Sequence, residues 1–173
     1  MKKLLFIIAL VLTVAAASAQ SYPPKDEETP RLTFAMQLNV TLGETYSVGQ
    51  TAHGKRIVIP ITGGTFEGPA LKGTIVNGGA DYQLASADGR RTELEAIYSI
   101  RTDDGVYIHV RNRGLIAFDA AREGQPSVYF KAAPRFEAPT DSRYAWLNDA
   151  LFVCAPAPSS APGSIVLNVW KVE

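Results

Sequence analysis

Two carboxylates sit where glycines loosen a β-rich run. Glu67 closes "IVIPITGGTFEGP" (residues 57–69), and Asp81 follows two glycines in "NGGADYQ". Glycines permit a bulge or sharp bend of the kind barrels use at corners, and such a bend can turn Glu67 toward a barrel mouth. A carboxylate inside a strand, as at Asp81, is costly to bury unless it is paired or hydrogen-bonded. In a partly apolar pocket either group would rise toward neutral pKa and could serve as general acid or base. The plainer alternatives are a solvated turn carboxylate at Glu67 and a backbone-capping Asx turn at Asp81.

The basic counterparts are Arg101, Arg111, Arg113 and Arg135, with Asn112 and Asn148 as neutral polar groups. Alternation in "VYIHVRN" sets Tyr107, His109 and Arg111 on one face, and Val106, Ile108, Val110 and Asn112 on the other. The first face is polar and aromatic, as in a wet lumen or on an open sheet surface. An arginine fork there could hold a ligand carboxylate, or fill the lumen as an ion-pair network with Glu67, Asp81 and Glu95. Tyr107 and Trp146 are candidate apolar walls; core or rim packing is the alternative for Trp146.

Other chemistries find no support. The two histidines, His53 and His109, are far apart, and with the single Cys154 they show no metal-ligand spacing, so neither metal nor cofactor is expected. No G-x-S-x-G, G-x-G-x-x-G or P-loop pattern occurs. Cys154 in "LFVCA" reads as a buried thiol, and one cysteine excludes an intrachain disulfide.

The elements that would position these groups are strands. "TFAMQLNVT" (residues 33–41) alternates with period two, and β-rich runs follow at 56–66, 70–76, 80–86, 92–102, 105–112, 128–136, 150–155 and 164–172. "IYSIRTDDGVYIHV" is the clearest hairpin, because Asp-Gly tolerates the positive φ of a tight turn. A short helix is expected only around residues 117–124, and "CAPAPSSAPGS" (154–164) reads as a loop. Eight or nine short antiparallel strands leave two open edges unless the sheet closes. The expectation is an all-β, single closed antiparallel barrel over residues 31–173, with a two-sheet sandwich as the alternative.

The chain opens with "MKK", an apolar run "LLFIIALVLTVAAASA", and Ala17-Ser18-Ala19, the pattern of a secretory signal peptide cleaved after Ala19. Residues 20–30, polar and proline-rich, read as a disordered lead-in. A periplasmic or secreted location follows. Losing Lys2 and Lys3 with the leader leaves 15 basic against 17 acidic residues, a net charge near −2. That balance offers no footprint for nucleic acid or anionic membranes. Arginines in the strands argue against membrane insertion of the mature chain as an outer-membrane barrel.

"GKRIVIPITGGTFEGPALKGTIVNGGADYQL", "IYSIRTDDGVYIHVRNRGL", "YFKAAPRFEAP" and "YAWLNDALFV" resemble, in order, the blocks of the domain-of-unknown-function 3237 family. The resemblance runs from about Leu32 to Val172 and implies a small β-barrel with little said about activity. His109 stands where the resemblance implies another aromatic, most often tyrosine.

Two readings of function follow. In the first, the barrel mouth binds a small organic molecule, with Glu67, Asp81, Arg111, Asn112 and Arg135 as polar contacts and Tyr107 and Trp146 as walls. In the second, Glu67 or Asp81 carries a proton in cofactor-free isomerase, cyclase or lyase chemistry, and Arg111 stabilises a developing oxyanion. An envelope interaction protein is a third, signalled by an exposed apolar patch. The deciding observation is a cavity touching Glu67, Asp81 and Arg111 together.

Overall fold

The structure, a computed structural model, describes residues 29–118, 128–157, 159 and 161–173. The expected signal peptide, residues 20–28 of the lead-in and positions 119–124 of the expected helix lie outside these. Among the described residues ten strands appear: β1 (Leu32–Leu42), β2 (Tyr46–Thr51), β3 (Gly54–Glu67), β4 (Lys72–Ile75), β5 (Gly79–Ala85), β6 (Arg91–Thr102), β7 (Tyr107–Phe118), β8 (Val128–Glu137), β9 (Phe152–Ala157) and β10 (Ser164–Val172). All pairings are antiparallel, and β1 pairs with both β10 and β3, so the sheet closes on itself. The long β3 takes β1 along its second half and β2 along its first, while β4 and β5 share the place between β3 and β6. Ten strands thus fill eight barrel positions.

Sequence and structure part at five small places. In β1 a bulge between Phe34 and Met36 interrupts the expected alternation and leaves Phe34 exposed, and a 3-10 turn forms at Ala145–Asp149, away from the expected helix. β2 lies in "TYSVGQT", where Gly49 dilutes the strand pattern. Ala117 and Phe118, placed in the expected helix, continue β7 and pair with Tyr129 and Val128. β9 runs on through Pro156 to Ala157 into the stretch expected to be loop.

One end of the barrel is packed solid. Met36, Ile100, Ile108, Val110 and Val169 have no exposed surface, and Phe136 and Phe152 meet edge to face at 4.9 Å. A 3-10 turn at Ala145–Asp149 covers this end with the buried Leu147, just after the buried Tyr144. The Tyr144 hydroxyl donates to Asp104 Oδ1 (2.8 Å), which also accepts from the Thr102 hydroxyl (2.5 Å), tying the cover to the β6–β7 hairpin.

The weakest join in the wall is between β8 and β9, which share the single pair Ala132↔Cys154. Continuing that register would set Pro134 against Phe152 and Pro156 against Phe130. Prolines have no N–H to give a ladder, so each strand loses a rung beside the one pair. Below it, the Asn148 side-chain amide replaces backbone pairing, accepting from the Ala138 N–H (2.8 Å) and donating to its carbonyl (2.9 Å).

Candidate functional site

Opposite the packed end the side chains pull apart around a cavity of ≈ 250 Å³. Its wall is aliphatic and aromatic, built from inward positions of β1, β3, β6, β7, β8 and β10, among them Val40, Ile61, Leu94, Ile116, Phe130 and Leu167. Four of the described lining residues have polar side chains: Asp81 and Gln83 from β5, Tyr98 from β6 and Asn112 from β7. Period-two alternation explains which residues face in. On β6, Leu94, Ala96 and Tyr98 line the cavity while Glu93 and Glu95 face the outer groove, and on β7 Asn112 is interior while Arg111 and Arg113 are exposed.

Asp81 sits at a break in the β5–β6 ladder. Pairing runs through Ala80↔Ile97 and Asp81↔Ala96, lapses, and resumes at Leu84↔Glu93. In the gap Asp81 Oδ1 accepts the Glu95 backbone N–H (3.1 Å), and Oδ2 accepts from the Gln83 amide (2.8 Å). The carboxylate therefore substitutes for a missing carbonyl while its other face borders the cavity. Burial pushes its pKa above the ordinary 3.8, against the lowering pull of the Gln83 and Glu95 hydrogen bonds. Desolvation wins because two neutral donors do not replace bulk water around a charge.

The buried Asn112 amide donates to Cys154 Sγ (3.4 Å) across the β8 position. Cys154 is 1% exposed, and burial raises its thiol pKa. It is a structural thiol, as its apolar context implied.

The other candidate residues lie elsewhere. Glu67 is exposed at the end of β3, opposite Lys72 and adjacent to Gln37, and is not among the cavity-lining residues. The expectation that the double glycine turns it toward the mouth is corrected: Phe66 takes the inward place and the pleat sends Glu67 out. Tyr107, Arg111 and Arg135 are exposed on the outer wall, where Arg111 and Arg135 are register neighbours. Tyr107 lies under the Arg101 guanidinium at 5.6 Å. Trp146 packs on Phe152 at the closed end (6.0 Å). Of Glu67, Asp81 and Arg111, the cavity touches Asp81 alone. The polar-aromatic face of β7 is its outer surface, and the lumen is drier than expected.

The arginines do meet an acid, but outside the barrel. Arg111 and Arg113 both donate to Glu95 Oε1, Arg113 Nε at 2.9 Å, and these bonds hold the Glu95 carboxyl below the usual range. Solvent screens such a cluster, so Glu95→Gln should cost about 1 kcal/mol or less in urea denaturation. Among the described residues, no group of three or more His, Cys, Asp or Glu could hold a metal ion.

Gln83 and Tyr98 were not singled out in the sequence. The alternation of "GADYQLA" puts Gln83 on the Asp81 face, a legible signal; Tyr98 looked like any strand aromatic.

Residues 30–172 match the family model described as protein of unknown function (DUF3237). The chain belongs to this family. A UPF0311 protein of Rhodopseudomonas palustris is 34% identical over 148 residues, covering 80% of this chain and 94% of the relative. The UPF0311 protein of Clostridium acetobutylicum is 31% identical, covering 85% and 93%. A β-barrel-like protein of Acinetobacter baumannii has a crystal structure with TM-score 0.73 and 30% identity, covering 88% of this chain and all of that one. The hydroalkoxylation enzyme phnH of Penicillium herquei is 28% identical, covering 83% of this DUF3237 chain and 85% of the enzyme. The family resemblance read from the four sequence blocks and the closed barrel it implied both hold.

Proposed function

We propose that this protein is an exported barrel that binds a small, mainly apolar organic molecule in its open end. The observation that carries this reading is the cavity itself: an apolar wall broken by a few converging polar groups, one of them a carboxyl that burial has raised. Its ≈ 250 Å³ falls just under the roughly 300–1,000 Å³ of pockets for drug-sized ligands, so a single substituted ring suits it. A thermal-shift screen of neutral aromatic and terpenoid metabolites should raise the melting temperature of the wild type. Cavity-filling Ala96→Phe should abolish that shift while leaving the barrel folded. A screen in which both proteins respond alike would place binding outside the barrel.

Export rests on the leader pattern, and the exposed charges at Lys131, Arg111, Arg113 and Arg135 suit a mature barrel surrounded by water. Mass spectrometry of protein recovered from outside the cytoplasm should find Gln20 as the first residue. Recovery of cytoplasmic protein that retains Met1 would refute the location.

A second reading is cofactor-free acid–base catalysis, favoured by Asp81 and by the enzyme among the relatives. Hydroalkoxylation adds an O–H across a C=C bond, so a proton must leave oxygen and another must reach carbon. One carboxyl of raised pKa bordering a mainly apolar cavity can do both in turn. Cyclisation of 2-allylphenol by the wild type and not by Asp81→Asn would support it; equal rates would exclude Asp81 from the chemistry.

A further inference from the structure

The four polar side chains of the cavity differ in one respect. The Gln83 amide N–H donates to Asp81, Asp81 also accepts from the Glu95 N–H, and Asn112 is bonded to Cys154. Tyr98 is 5% exposed and lines the cavity, yet among the described residues its hydroxyl has no hydrogen-bond partner. No fully enclosed side-chain nitrogen or oxygen among these residues lacks a partner. The Tyr98 oxygen therefore owes its small exposure to the cavity it borders. A buried hydroxyl facing an apolar space without a partner is costly, and native structures rarely leave one so.

Among the described residues the lining also carries no Lys, Arg or His. An anion entering would lose its hydration with no cation to replace it, close to a carboxyl that already resists ionisation. Resting on the binding reading above, we infer that the ligand is a neutral carbonyl compound, a ketone or lactone on an apolar skeleton, whose oxygen accepts the Tyr98 O–H. Burial raises the Tyr98 phenol above its ordinary value of 10.0, so it keeps its proton and remains a donor throughout the physiological range. Asp81, when protonated, offers a second donor for the same class of ligand. Arg111, expected to hold a ligand carboxylate, has no such part in the cavity, since its side chain is outside.

Three probes of similar size separate the possibilities: ethylbenzene, acetophenone and benzoate, titrated against the purified protein by ligand-observed NMR. Acetophenone should bind roughly tenfold more tightly than ethylbenzene, benzoate should not bind, and Tyr98→Phe should bring acetophenone down to the ethylbenzene level. Equal binding of ketone and hydrocarbon by the wild type would overturn the Tyr98 assignment and leave the apolar-ligand reading standing. Benzoate binding as well as acetophenone would overturn the selection for neutral ligands. If none of the three binds, the binding reading fails and this inference with it. The wild-type preference needs no variant, so a misfolded Tyr98→Phe protein cannot shield the proposal.

Discussion

Gly64→Ala should lose roughly 3–5 kcal/mol of folding stability, a large share of what a domain of this size possesses. Gly64 has φ +128°, outside the range L side chains adopt, and an added Cβ would overlap the Asn39 carbonyl oxygen and press on Ile75. Two costs therefore add: backbone strain, and the separation of β1 from β3. That contact closes the barrel, with Val40 directly opposite Gly64 in register. Gly78→Ala supplies the control. Its φ is +122°, but an added Cβ meets nothing within 4 Å, so strain alone should cost about 1–2 kcal/mol. Urea denaturation of both variants measures the difference. Equal losses would mean that close strand approach is not what requires glycine at position 64.

Asp81→Leu is the second large effect, expected at about 2–4 kcal/mol. Leucine fills the volume but strands the Glu95 N–H and the Gln83 amide, each of which then lacks its acceptor in a half-buried place. Asp81→Asn should be far milder, because an amide oxygen still accepts from Glu95 and the Gln83 amide can turn to present its own oxygen. The two variants differ in pH behaviour from the wild type in a defined direction. Since the folded-state pKa of Asp81 is raised above 3.8, the folded protein holds this proton more tightly than the unfolded chain does. The stability it contributes is full below 3.8 and is lost as pH rises through the raised value. Relative to the wild type, Asp81→Asn should thus gain stability as pH climbs across that window. Urea midpoints from pH 3.5 to 7.5 would show it, and a pH-independent difference would mean that Asp81 is not desolvated in solution.

Much of the fold was legible because strands advertise themselves locally. Alternation in "TFAMQLNVT" and the Asp-Gly turn between β6 and β7 are properties of a few adjacent residues, and both elements formed, although a bulge between Phe34 and Met36 takes Phe34 off the buried face of Met36, Leu38 and Val40. Closure was also within reach, since short antiparallel strands with open edges have few other stable arrangements. The prolines of "AAPRF" and "CAPAP" carried a further message, the sparse β8–β9 join, which is readable only once the two strands are known to be neighbours.

The site was legible in part. The sequence by itself determined that Asp81 and Gln83 share one face of a strand, and that Arg111 and Asn112 must point to opposite faces. It could not say which face was the inside. A polar-aromatic row such as Tyr107, His109 and Arg111 fits a wet lumen as well as an outer wall, because alternation has a period but no sign. The tertiary structure decided the sign by burial: Ile108 and Val110 lose all solvent contact, and the arginines gather on Glu95 outside. It also decided that Glu67 faces water, because β4 pairs with the end of β3 and holds that residue in the pleat opposite Lys72. And it alone singled out Tyr98, whose hydroxyl matters for what fails to surround it, a property no stretch of neighbouring residues encodes.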